Sequence, residues 1–290
     1  MSEDVVLYER KGDIGKITLN KPDQRNTLDL ATNNKLIEAF KQSAENKDVC
    51  VIYAANGKHF TVGADLKYGY NLLTNPDKLP EAIEFLESWQ VLTRAMYAHP
   101  GIIIVGYHGW VIGGGFEHTL ASDLRIAATD TRIMLPEVGV GLFFSNASTK
   151  ILPRIIGEGR AKELMLLGKE ISAEQALNIG LVNEICKPES LDRILKKTAN
   201  NIVAKDHLAL RLTKQFINEN QDIDIEGVLG RESVAMLTTV QSEELREKLT
   251  RLIMSNGYRR LSDERKEKFI RQRISEARER GRKPYREKYK

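Results

Sequence analysis

The chain has 290 residues, 41% of them apolar, and a formal net charge of +4, which suffices for a large core in one big domain or in one domain with a helical appendage. No apolar run reaches the length of a membrane span, and the acidic start Met1-Ser2-Glu3-Asp4 lacks both a secretory hydrophobic core and an Arg-rich transit pattern, so a cytoplasmic chain without membrane insertion is expected. Cys50 and Cys186 stand far apart in apolar surroundings and read as buried free thiols, while the histidines, His118 included, show no ligand spacing and imply no metal site.

In chain order, short apolar or alternating runs bounded by Gly, Asn, Asp or Pro predict strands at Val5 to Tyr8, Lys16 to Leu19, Val49 to Tyr53, Ile102 to Val105, Leu124 to Ala127 and Leu181 to Ile185. Helices fall between them. Leu36, Ile37 and Phe40 share one face of a segment opened by Asp29, and Ile83, Phe85, Leu86, Trp89, Leu92 and Met96 line another that stops before His99-Pro100. From about Ser190 the pattern is helical, over Leu191 to Ile202, Leu208 to Phe216, Val228 to Leu237 and Glu243 to Met254, so an α/β body precedes a helical part. The charge is uneven. Residues 259 to 290 carry a balance of +8 and leave −4 for the rest, with a predicted helix capped by Ser262 and ending near Gly281 and Pro284.

Two glutamates concentrate the chemistry. Glu117 ends Val111-Ile112-Gly113-Gly114-Gly115-Phe116-Glu117, and Glu137 sits in Leu135-Pro136-Glu137-Val138-Gly139. Consecutive glycines let backbone N–H groups approach a ligand without side-chain obstruction, which is the physics of an oxyanion hole. A second glycine loop, Gly57 to Lys67, follows the strand at Val49 to Tyr53 and can bring a second N–H to the same oxygen. A carboxylate on each side of a carbon centre held there can move protons on both.

Taken together, Gly63-Ala64-Asp65-Leu66-Lys67, His108-Gly109 leading to Gly113 through Glu117, Ala121-Ser122-Asp123-Leu124-Arg125-Ile126-Ala127 and Leu135 through Gly139 resemble the crotonase, or enoyl-CoA hydratase/isomerase, superfamily. Ile17 to Pro22 with Asn26-Thr27-Leu28, then Leu152-Pro153-Arg154-Ile155-Ile156-Gly157, Ile171-Ser172-Ala173 and Gly180 to Asn183, are similar to its earlier and later segments. The resemblance implies a ββα spiral core over residues 1–190 and a helical oligomerisation region over 191–258 that builds a homotrimer or homohexamer; the basic helical extension over 259–290 is longer than the short basic segment in which the family's chains end. The resemblance also implies an acyl-CoA thioester substrate, with coenzyme A carried by the substrate and no other cofactor. By that resemblance Ala64 and Gly114 supply the oxyanion-hole N–H groups, and Ala64, Asp65, Leu66, Lys67 and Gly114 border the bound acyl-CoA. Glu137 exchanges the proton at the α carbon, and Glu117 orients and deprotonates the water that attacks the β carbon. Reversible hydration of the 2,3 double bond is the implied reaction, with double-bond isomerisation or cleavage of an aryl hydroxyacyl-CoA as neighbours.

The chain departs from the family just after the second acid. Where hydratases carry a Pro-Gly-Ala-Gly-Gly-Thr type loop, it reads Leu142-Phe143-Phe144-Ser145-Asn146-Ala147-Ser148-Thr149. Two readings stand side by side. Phe143 and Phe144 pack in the core while Asn146 caps the next helix, or the aromatic pair and the amide meet an unusual acyl group, aromatic, cyclic or hydroxylated. Tyr68 and Tyr70 lie on a variable stretch that can border the same pocket, and Asp123 reads as a structural link between helix and strand. For the basic tail the plain reading is a solvated helix packing on a neighbour. Approach to the CoA phosphates is a second reading, and a moonlighting role in which the tail holds an anionic partner, nucleic acid or a membrane surface, is a third. Interleaved acids and three aromatics, Phe269, Tyr285 and Tyr289, make nucleic acid an unlikely partner.

Overall fold

The computed structural model describes residues 4–257, with Lys268 and Gln272 beyond them; side chains are described to residue 251 in the continuous part. Two strands, β1 (Val6–Lys11) and β2 (Ile14–Leu19), form an antiparallel hairpin at one edge of a six-stranded sheet. Onto β2 are added, all parallel, β3 (Cys50–Ala55), β4 (Ile102–Tyr107), β6 (Leu124–Ala128) and β9 (Glu184–Cys186). Their Val, Ile and Ala runs suit a sheet covered on both faces. A smaller sheet joins β5 (Trp110–Ile112), β7 (Arg132–Met134) and β8 (Ile171–Ser172), the first pair parallel and the second antiparallel. None of these three is predicted from the sequence. Each has only two or three residues, too few for a period to show.

One layer of helices holds α1 (Leu30–Glu45), α2 (Leu66–Thr74) and α3 (Leu79–Tyr97). Asp29 caps α1 as expected, its carboxylate accepting from Thr32 N at 2.8 Å. Leu36 and Phe40 of α1 and Trp89, Leu92 and Met96 of α3 share the main core with Ile17, Val51, Tyr53, Ile103 and Val105 of the sheet. The opposite face of the sheet, with Cys50, Ile52, Ile104 and Ile126, is covered by Leu191, Leu195 and Ala199 of α8 (Leu191–Val203). Each large apolar side chain so buried contributes roughly 1.5–3 kcal/mol against exposure.

The remaining helices of the body are α4 (Gly114–Glu117), α5 (Ser148–Ile156), α6 (Glu158–Leu167), α7 (Ala173–Asn178) and α9 (His207–Glu219). The compact unit extends to Asp222 and includes α8 and α9. Asp123 shows one reason. Its Oδ2 accepts from Ile103 N at 2.7 Å and from the buried ammonium of Lys214 at 2.8 Å, which fastens α9 to the start of β4. The next unit begins at Ile223 and contains α10 (Ile225–Val240), capped by Asp224 through Gly227 N, and α11 (Glu243–Gly257).

The sequence reading differs from the fold in three further places. Leu181 to Asn183 turn before the short β9 begins at Glu184, because Leu181 and Val182 are held by Ala176 O and Asn183 by Arg125 O rather than by a ladder. Cys50 is buried, but Cys186, at the end of an edge strand, is only partly so; both are free thiols. The stretch around Tyr68 and Tyr70 is helix α2, started by the Asp65 cap. The expected Ser262 cap and the helix end near Gly281 lie outside the described residues. Among the described residues no helix is long and apolar enough to cross a membrane.

Candidate active site

Two loops that leave the main sheet run side by side. Thr61 N donates to Trp110 O and Ile112 N donates back to Thr61 O, both at 3.1 Å, so the segment after β3 pairs with β5. Asn26, buried and at positive φ, ties the first loop down. Its amide donates to Asn56 O at 2.9 Å and His59 O at 2.8 Å, and its carbonyl accepts from the Thr61 hydroxyl at 2.6 Å. Gly63 and Gly113 are the residues that permit the close approach. Gly63 has φ +86 and a Cβ there would stand 2.7 Å from Ile112 O; Gly113 has φ +55 and a Cβ would stand 2.7 Å from Glu137 Oε1. Neither conformation suits a residue with a side chain.

Immediately after these two glycines come Ala64 and Gly114. Leu28 N donates to Gly63 O and Asp65 N to Leu28 O, which brackets Ala64 and leaves its own N–H without a backbone acceptor among the described residues. Gly114 opens α4, where the first N–H groups have no intrahelical partner. The indole of Trp89 backs this glycine, 3.2 Å from where a Cβ would sit, and Nδ1 of His118 lies 3.0 Å from Gly114 O. Because a carbonyl only accepts, that nitrogen carries the ring proton, and Nε2 then accepts from the Tyr53 hydroxyl at 3.1 Å. Burial pushes this histidine down to about 4, so it stays neutral.

The two glutamates meet beside this pair of N–H groups. Glu117, on the last turn of α4, is 1% exposed, and Glu137, opening the 3-10 turn Glu137–Val140, is 7% exposed. The carboxyl groups lie within hydrogen-bonding reach of one another, an arrangement that requires a proton on one of them. Glu117 is pushed up to about 8, mainly by burial and further by the charge of Glu137, while Ser148 and Ser145 N pull the other way. Glu137 is also raised by burial, and its hydrogen bond with Glu117 opposes that rise. Oε2 of Glu137 is buried with no hydrogen-bond partner. An acid pair beside the Ala64 and Gly114 N–H groups can give a proton to one carbon substituent and take one from another.

The other expected site residues divide. Asp65 is occupied as a cap, Oδ1 accepting from Lys67 N and Tyr68 N at 3.0 Å, while Leu66 and Lys67 are exposed at the start of α2. Tyr68 donates to Glu81 at 2.7 Å and stands edge-on to Phe85, so it joins α2 to α3. Phe144 is half-buried against the core, but Phe143 is 84% exposed, which removes it from core packing. Asn146 does not cap α5. The cap position is Ala147, with no side-chain bond, and the buried Asn146 amide instead accepts from Thr93 at 2.8 Å and donates to Ser145 at 2.6 Å. Residues the sequence reading did not single out as site residues are Asn26, Trp89 and Ser148. Among the described residues, no group of three or more His, Cys, Asp or Glu side chains is placed to hold a metal ion.

The fold is of the crotonase type. Residues 9–258 match the family described as enoyl-CoA hydratase/isomerase, and the chain belongs to that family. It is 32% identical to the crotonyl-CoA hydratase of Syntrophomonas wolfei subsp. wolfei over 86% of this chain and 95% of that one. It is also 32% identical to the (E)-benzylidenesuccinyl-CoA hydratase of Thauera aromatica, over 77% of this chain and 86% of the relative. Among solved structures, the enoyl-CoA hydratase of Bacillus anthracis superposes with a TM-score of 0.81 at 29% identity, covering 87% of this chain and 97% of that one.

Proposed function

We propose that the protein adds water reversibly across the 2,3 double bond of an enoyl-CoA thioester. The observation that carries this reading is the pair of buried carboxyl groups, Glu117 and Glu137, beside the Ala64 and Gly114 N–H groups. The thioester oxygen sits between those two donors, which stabilise the negative charge it gains as the enolate forms. Ionised Glu117 takes a proton from water as its oxygen bonds to the β carbon, and protonated Glu137 gives a proton to the α carbon. Atoms and charge balance. The pair ends with its proton on Glu117 instead of Glu137, and the contact between the two carboxyl groups returns it for the next turnover. Dehydration is the same path reversed.

Coenzyme A enters along the start of α2, where exposed Leu66 and Lys67 border it and the Lys67 ammonium offers a charge to its phosphates. The trimer or hexamer belongs to the same reading. Exposed Leu66, Leu73, Leu86 and Phe143 leave apolar surface for a second copy to cover. Two relatives named for hydratases act on acyl groups as different as crotonyl and benzylidenesuccinyl, so the test uses a panel of 2-enoyl-CoA thioesters, aliphatic and aromatic. Loss of the conjugated enoyl absorbance with formation of the 3-hydroxyacyl-CoA is the expected result; a protein inert on every thioester refutes the proposal.

A further inference from the structure

We propose that Ser148 is a positioning residue: its hydroxyl and the Ser145 N–H converge on Oε2 of Glu117, favour the ionised form of that carboxyl, and leave Oε1 for the reacting water. This rests on the acid–base reading above and extends it to a residue outside the two-glutamate motif. The geometry is local and specific. Ser148 Oγ lies 2.5 Å from Glu117 Oε2, and Ser145 N donates to the same oxygen at 2.8 Å. Ser148 Oγ also lies 2.9 Å from Ser145 O. One hydroxyl proton serves one acceptor at a time. A charge-assisted bond is roughly twice as strong as a neutral one, so the proton goes to Glu117 when that carboxylate is charged and is free to turn to Ser145 O when it is not.

The backbone is bent to make this possible. Asn146 and Ala147, between the two donors, both lie in the left-handed region, with φ +57 and +54. Such residues cost about 1 kcal/mol or more each when they are not glycine. The fold maintains that conformation where it carries two donors to one buried oxygen. Buried Asn146 is pinned from the other side by Thr93 of α3.

Charged neighbours do not supply the same effect. From the turn at Glu137 comes a carboxyl that opposes ionisation, and His118, next in the chain, is neutral. On α5, Lys150 and Arg154 are both paired with Asp222. On α3, against which the site also packs, the neighbours are Trp89 and Thr93, which carry no charge. The two donors therefore stand as the groups that favour charge on Glu117.

The test is a titration of the substrate-free full chain, labelled with 13C at the glutamate carboxyl, followed by NMR and paired with the pH dependence of kcat/KM on crotonyl-CoA. In Ser148→Ala the upper titration of the pair, near 8 in the parent, moves up by about one pH unit, the size expected for loss of one hydrogen bond to a charge. At pH 7 kcat/KM falls about tenfold with it. Ser148→Thr, which keeps the hydroxyl, restores both; Ser148→Cys, of similar size but a weak donor, shifts in the same direction as Ala and serves if Ala does not fold. A folded Ala or Cys variant whose titration stays at the parent value overturns the proposal. Because the titration needs no turnover, a protein inert on every 2-enoyl-CoA of the panel would refute the hydratase reading and leave the Ser148 result to stand by itself.

Discussion

At the scale of single residues, Glu117 illustrates a conflict between stability and chemistry. A carboxyl in water titrates near 4.5, but this one is held at about 8 by burial first and by Glu137 as well. The folded chain therefore binds the proton more tightly than the unfolded chain. The sign follows directly: the stabilising contribution of the protonated form is complete below the unfolded value and is lost as pH rises through the folded one. Between about pH 4.5 and 8 the native state becomes less stable on this account. Glu117→Gln keeps the shape and the acceptor but has no charge to bury. Its stability should be flatter across that window and exceed the parent by on the order of 2 kcal/mol at pH 8.5, read by thermal unfolding at a series of pH values. A parent and variant with parallel pH profiles would contradict the burial argument. Both glutamates were legible in the sequence because each sits in a glycine or proline motif. Ser148 was not, since a serine in a polar loop carries no signal until the fold brings its hydroxyl to Oε2.

At the scale of elements, the strands and helices that span several residues of regular pattern were legible, and the short ones were not. The α1 cap at Asp29, the α3 stripe from Phe85 to Met96 and the buried runs of β3 and β4 follow from period and capping. In contrast, β5, β7 and β8 exist because the loops around the site are stitched to one another, as Ile112 N to Thr61 O and Gly113 N to Met134 O show. That is tertiary information. The turn from Phe143 to Ser148 was misread in part for the same reason: Asn146 reads as a cap by residue type, yet the chain bends left-handed there and buries its amide against Thr93. Ala147 makes the cost measurable. It is exposed, has φ +54, and its side chain makes no cap bond. Ala147→Gly should raise stability by about 0.5–1 kcal/mol through relief of that conformation, seen as a higher denaturation midpoint with unchanged m-value. A lower midpoint would show that the left-handed turn is not strained.

At the scale of the whole molecule, the body is a parallel sheet between helical layers, with its chemistry on loops that leave the strands. Family resemblance in the sequence anticipated the α/β body, the order of motifs and the helical end, whereas the extent of the compact unit, to Asp222, depends on contacts such as Lys214 with Asp123 that no spacing announces. Rigid strands β3 and β4 carry the two loops, and the cross-loop bonds fix their separation. The acid–base work proposed for the two carboxyl groups thus rests on elements drawn from much of the chain. The most direct test compares hydration rates of the parent with Glu117→Gln and Glu137→Gln on whichever 2-enoyl-CoA the parent turns over. Each variant should keep the fold, by circular dichroism, and lose roughly a hundredfold or more in kcat. Either variant turning over as fast as the parent would contradict the two-carboxylate account.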